Sequence, residues 1–147
     1  MSKVIKLGIA KNNNQKIEEV EKVKLLSGKG IVDDYHFNEN NDVKKQITLI
    51  ESENIDYYND KFKTNYSYLE FRRNVVTKGI RLNDLVGKKL LIGDIEVKGH
   101  DLCRPCKHLE ETLKGKDIIK EFIRKGGLRC EILISGTIKL EDEIKTI

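Results

Sequence analysis

Short apolar, β-branched runs recur along this chain about every ten residues with glycines between them, the spacing of strands in a barrel or sandwich. Val4, Ile5, Leu7 and Ile9 open the series. Ile17, Val20, Val23, Leu25 and Leu26 follow as a second run. That run ends at Ser27-Gly28-Lys29-Gly30, where glycine's access to positive φ gives a turn its mechanism. Residues 46–50, Gln-Ile-Thr-Leu-Ile, read as a compact buried strand. Residues 86–97 read as two strands joined at Gly93-Asp94, and residues 129–140 repeat the strand–glycine–strand pattern. Helical signals are fewer. A short helix is expected from Ser52 to Asn59. Ser67 three residues before Glu70 suggests a capping box, and residues 82–85 a tight turn. The strongest helical stretch runs from Cys106 to Lys125. Its stripe of Leu109, Leu113, Ile118, Ile119, Phe122 and Ile123 is broken at Gly115 and stopped by Gly126-Gly127. The helices lack the regular alternation with strands that a parallel sheet requires. The expectation is a mostly β barrel with a few short helices.

Composition narrows the class. At 147 residues, with 38% apolar and 35% charged side chains, the chain suffices for one core, so residues 1–147 are expected to form a single domain. The net charge of +4 comes from interspersed charges of both signs, without the basic stripe of a nucleic-acid binder. No apolar run is long enough for a membrane span, and MSKVIKLGIAKNNN lacks the pattern of a secretory leader. Three cysteines are too few for a disulfide framework. The expected location is the reducing cytoplasm. No internal repeat is apparent, and the only biased patch is Asn12 to Asn14.

Chemistry concentrates in residues 99–108, Gly-His-Asp-Leu-Cys-Arg-Pro-Cys-Lys-His. Pro105 stands where a helix would begin, which puts Cys106 at the helix N-terminus. Free N–H groups, the helix dipole and the charges of Arg104 and Lys107 favour a thiolate there, both a nucleophile and a soft-metal ligand. Three other readings of the segment stay open: buried structural cysteines, a zinc site, and a Cys103–Cys106 redox pair. Zinc usually takes two ligand pairs, and no second pair appears, since Cys130 and His36 are isolated in sequence. A thioredoxin-like pair calls for a βαβ unit ahead of the motif, which the pattern does not show.

A second segment, residues 70–80, carries Arg72-Arg73-Asn74, residue types suited to gripping phosphate or carboxylate. On a strand, adjacent side chains point to opposite faces. One arginine is then expected in a pocket and the other on a carboxylate such as Glu70. A third, residues 28–36 with Lys44-Lys45-Gln46, reads equally as a binding loop or a plain hairpin. No nucleotide-binding glycine fingerprint and no nucleophile elbow is present.

Taken in order, KGIVDDYH, KKQITLIE, LEFRRNVVTKGIRLNDLVGKKLLIGDIEVKG, LCRPCKHLE and KGGLRCEILISGTIKLED resemble the MOSC domain, named for the C-terminal part of molybdenum cofactor sulfurases, in its small stand-alone bacterial type. The resemblance implies a β-barrel and a role around the molybdenum cofactor, a pterin dithiolene with a phosphate. It implies that Cys106, the family cysteine, ligates molybdenum or carries sulfur, with Cys103 as an auxiliary thiol. Arg72, Arg73 and Asn74 match the family's Arg-Arg-Asn, and with Lys45 and Arg104 they would hold the anionic part. A cysteine desulfurase or a molybdoenzyme is the implied partner. Fused relatives carry a pyridoxal-phosphate desulfurase. This chain shows no such module, so it is not expected to make persulfide from cysteine itself. Delivery of the cofactor without turnover is the alternative role. Two departures stand out. The family's Gly-Asp is Asp33-Asp34, so the turn there is expected to differ. Its arginine before glutamine is Lys45, which keeps the charge and loses the planar fork.

Overall fold

The computed structural model describes residues 1–13 and 15–147, so the last member of the asparagine patch, Asn14, lies outside the described residues. The elements are β1 (Lys3–Ile9), β2 (Glu18–Val20), β3 (Lys22–Leu26), β4 (Gly30–Ile31), β5 (Ile47–Glu51), α1 (Ser52–Phe62) and β6 (Val75–Lys78). After them come β7 (Lys89–Ile92), β8 (Ile95–Leu102), α2 (Lys107–Leu113), α3 (Ile118–Glu121), β9 (Leu128–Ile132), β10 (Gly136–Lys139) and β11 (Ile144–Thr146). Single 3₁₀ turns occupy Tyr68–Phe71 and Leu82–Leu85.

Strands dominate, as their spacing predicts. Eight form one curled sheet in the order β11-β7-β8-β9-β5-β6-β1-β2, and β10-β3-β4 form a second. The curl brings the end of the chain back to its beginning. Val4 N–H donates to the Asp142 carbonyl (3.0 Å), Ile144 N–H to that of Ser2 (2.9 Å), and Lys3 bridges Glu143. The result is a mostly β, barrel-like fold with a few short helices.

Alternation along each strand decides what fills the barrel. Leu7, Ile47, Leu49, Val75, Leu90, Val97, Leu128, Cys130 and Ile132 point inward with Leu25 and Ile138 from the smaller sheet, all essentially without exposure. Each such aliphatic side chain contributes about 1.5–3 kcal/mol of burial. The opposite face of the large sheet is only partly covered. Ile50 and Val76 pack there beneath Ile55 and Tyr58 of α1, Leu109 and Leu113 of α2, Ile118 and Phe122. Phe122 also lies beside Phe71, ring centroids 4.7 Å apart. Thr48, Asn74 and Arg129 share the uncovered part of that face, and there a cleft opens.

Several elements differ from the sequence expectation. The run from Ile17 to Leu26 divides at Glu21 into β2, which pairs β1, and β3, which pairs β10 and β4 in the other sheet. The strands at 129–140 form no hairpin, because β9 pairs β5 and β8 while β10 pairs β3. A βαβ unit is present after all: β5 and β6 run parallel, joined through α1. The stretch 106–125 makes two short helices instead of one. Lys114 and Asp117 take left-handed φ of 56° between them. The Tyr58 and Tyr66 hydroxyls pin that connection, donating to the carbonyls of Lys116 (2.6 Å) and Leu113 (2.7 Å). A Cβ on Gly115 would sit within 2.8 Å of both hydroxyls.

Candidate functional site

Five parts of the chain build the cleft, which encloses about 350 Å³. They are the end of β1, the loop after β4, the start of β5, the segment leading into β6, and the connection from β8 into α2, with Arg129 of β9 in the floor. All seven residues singled out from sequence line it: Cys106, Cys103, Arg104, Arg72, Arg73, Asn74 and Lys45. Their detailed placement differs from what spacing suggests.

Cys106 is exposed and caps α2, its Sγ 3.4 Å from the Leu109 N–H, as expected for a helix beginning after Pro105. Cys103 is buried where β8 ends, and its N–H donates to the Gly127 carbonyl at 2.7 Å. Gly126-Gly127 serves close backbone approach here and not helix termination. A Cβ on Gly126 would stand 2.6 Å from the Cys103 carbonyl oxygen. One on Gly127, at φ +113°, would overlap the Leu49 carbonyl. Cys130 is a core residue, and burial, reinforced by Cys103, pushes its thiol well above the usual range.

Arg72 and Arg73 both face the cleft, contrary to the opposite-face expectation. The chain is not yet a strand there, since β6 begins at Val75 and Arg72 ends the preceding turn at φ 63°. Glu70 takes neither arginine. Its carboxylate accepts the Ser67 N–H (2.6 Å) in the capping box, which closes a 3₁₀ turn. Arg72 Nη1 donates to the Gln15 carbonyl (2.6 Å) and Arg73 Nε to that of Gly126 (2.8 Å), so each arginine also ties down a neighbouring backbone segment. Asn74 is buried. Its Nδ2 donates to the Gly8 carbonyl, and its Oδ1 accepts the Thr48 N–H and hydroxyl, all at 3.1 Å. That side chain joins β1, β5 and β6 and forms cleft wall. Arg104 and Lys45 are exposed, and neither side chain has a hydrogen bond or ion pair among the described residues.

The segment read equally as a binding loop or a plain hairpin brings Asp34, His36 and Lys44 to the cleft, and the structure adds Thr48, Thr112 and Arg129, which no motif singled out. Asp34, 7% exposed, accepts the Ala10 N–H (2.9 Å), the His36 N–H (3.2 Å) and His36 Nδ1 (3.2 Å). Burial by itself raises the Asp34 carboxyl, but these hydrogen bonds and the nearby imidazole outweigh it, and the net shift is downward. An ionised carboxylate only accepts, so His36 Nδ1 carries the hydrogen and Nε2 is the ring nitrogen left over. Asp33 takes φ 74°, the left-handed conformation a glycine would supply, so the substitution there leaves a turn of that hand in place. Lys44, 3.7 Å from Asp101, and His108 and Thr112 of α2 complete the lining with Thr48 and Arg129. The cue for Arg129 was alternation: it stands between the inward-facing Leu128 and Cys130.

Six cationic side chains and one carboxylate, itself fully engaged, therefore line the same cleft as the exposed Cys106 among the described residues. Such a cleft suits a small anionic ligand with a group for sulfur or a soft metal to bind. No three His, Cys, Asp or Glu side chains converge on a metal-holding position among the described residues. Among the described residues no helix is long and apolar enough to cross a membrane.

Solved structures with the same architecture include the YuaD protein from Bacillus subtilis, with a TM-score of 0.82 and 18% identity over 99% of this chain and 96% of that one. YiiM from Geobacillus stearothermophilus aligns with a TM-score of 0.79 and 15% identity over 100% and 75% of the two chains. YiiM from Escherichia coli does so at 0.74 and 15% over 100% and 70%. At these identities the likeness establishes the fold. No curated protein sequence matches the chain. The MOSC domain profile matches residues 32–145, from the residue after β4 into β11. That span contains every cationic side chain of the cleft and both of its cysteines, and by this match the chain belongs to the MOSC domain family.

Proposed function

We propose that the cleft binds the molybdenum cofactor, or serves it by carrying sulfur, through Cys106. The observation that carries this reading is an accessible thiol inside a cleft whose cations outnumber its carboxylates six to one among the described residues. The residues fit such a group. The volume, about 350 Å³, lies in the range of roughly 300–1,000 Å³ usual for small-molecule sites. Guanidinium forks suit a phosphate, and a single thiolate suits a soft metal already held by other sulfurs. When bound, the group supplies the metal centre on which redox or sulfur chemistry occurs.

The chain's own contribution is to bind and orient. Arg72, Arg73, Lys45 and Arg104 attract the anionic part, and Cys106 presents sulfur from the start of α2. Asn74 holds the wall that aims the arginines, and Cys103, buried in the cleft lining, is the auxiliary thiol. Cys103 is buried and Cys106 exposed, and both line the cleft.

Purified protein is loaded with the cofactor, and retained molybdenum and pterin are measured. Wild type is expected to retain both, and Cys106→Ser to lose most of the molybdenum. In parallel, wild type incubated with a cysteine desulfurase and cysteine is weighed by intact-mass spectrometry. A gain of one sulfur atom on Cys106 marks the carrier role. Equal retention by the two proteins together with no sulfur gain rejects the assignment. Turnover that appears only when a partner molybdoenzyme is added assigns delivery.

A further inference from the structure

The cations around the cleft are not equivalent. Arg72 and Arg73 each hold a backbone carbonyl, and Lys44 faces Asp101. Arg129 does neither. It stands on β9 with its side chain on the cleft face, opposite Thr48 on one side and Asp101 on the other in register. It is half-buried, and its guanidinium has no hydrogen bond or ion pair among the described residues. The one carboxylate in the cleft wall, Asp34, is already engaged by three donors. The carboxylate nearest Arg129 in register, Asp101, turns one oxygen to its own strand (Leu102 N–H, 2.9 Å) and the other towards Lys44.

A guanidinium partly withdrawn from water without an anion gives up part of its hydration and gains no ion pair in return. The row Asn74–Thr48–Arg129 makes the cost larger, because the first two satisfy each other and offer the arginine no acceptor. Lys45 enters the cleft from the chain leading into β5, and Arg104 from the chain leaving β8, the strands on either side of β9. Both also lack protein partners among the described residues.

We propose that Arg129, assisted by Lys45 and Arg104, is the oxyanion subsite of the cleft and takes the phosphate monoester of the bound ligand. This deepens the cofactor reading and rests on it for the ligand's identity. It moves the main phosphate grip from the Arg-Arg-Asn segment, where each guanidinium already gives an N–H to a backbone carbonyl, to the sheet floor. A planar fork on a strand is fixed more firmly than a lysine on a loop, and it meets two phosphate oxygens at once.

The probe is inorganic phosphate, titrated calorimetrically at low ionic strength into the full chain. Wild type is expected to show saturable binding. Arg129→Met is expected to weaken it at least about tenfold, the scale of a lost charge-assisted bidentate contact. Arg129→Lys, which retains charge without the fork, falls between. Lys22→Met, on β3 away from the cleft, controls for net charge. Melting temperatures measured without phosphate verify that each variant is folded. If one is not, Arg104→Met and Lys45→Met carry the same comparison. Wild-type affinity in Arg129→Met, a loss no greater than that in Lys22→Met, or absence of saturable binding in wild type overturns the subsite. Phosphate binding that depends on Arg129, in a protein that retains no molybdenum cofactor, upholds the subsite and sinks the cofactor reading.

Discussion

Single side chains set the electrostatics of the cleft, and Asp34 shows how. Its carboxyl is buried, which alone would raise its pKa, yet hydrogen bonds from Ala10 and His36 bring it below the ordinary value of 3.8. A depressed carboxyl contributes stability that is fully present above the unfolded value and is lost as pH falls through the folded one. Asp34→Asn is therefore expected to be less stable than wild type at pH 7, with the gap narrowing as pH falls below the ordinary carboxyl value of 3.8. Urea unfolding of both proteins across that range measures it, and a gap independent of pH would show that the hydrogen bonds do not depend on ionisation. At this scale the sequence was informative where chemistry is local. Cys106 and the two arginines declared themselves through neighbours one to three positions away. His36 and Arg129 did not, because they reach the cleft only through a loop anchored on β1 and through strand pairing.

Elements were read well where a single periodicity ruled and poorly where partners decided. The β7–β8 turn at Gly93 and the start of α1 at Ser52 follow from local signals. The helical stripe after Cys106 did not survive as one helix, since Tyr58 and Tyr66, about fifty residues earlier in the chain, capture the carbonyls between α2 and α3. Asn74 has the corresponding role for strands. Its amide stitches β1, β5 and β6 at the edge of the cleft. Asn74→Ala leaves the Gly8 carbonyl and the Thr48 N–H without their partner, and is expected to cost about 2–3 kcal/mol in urea denaturation. A change below about 0.5 kcal/mol, the usual surface value, would mean that water replaces the amide.

The whole barrel depends on its closure. β11 pairs β7, and its neighbours meet the start of β1, with Ile144 3% exposed. Removing residues 144–147 strips the edge of β7 and one core side chain. It is expected to lower stability by at least about 2 kcal/mol, read from the urea midpoint. An unchanged midpoint would show that the seam at Lys3 and Glu143 closes the barrel unaided. Residues 1–31 lie outside the family match, yet β1 sits inside the large sheet and its end frames the cleft. The amino-acid order alone determined the strand-rich class, the turns, and the thiol at a helix start, because each follows from backbone preferences and neighbours a few residues apart. Only the folded chain decided which strands pair, that both arginines share one cleft with Arg129, and that one cysteine of the Cys-Arg-Pro-Cys segment is sealed while the other is open. Those outcomes depend on contacts between residues tens of positions apart, and such contacts leave no periodic trace in a single sequence.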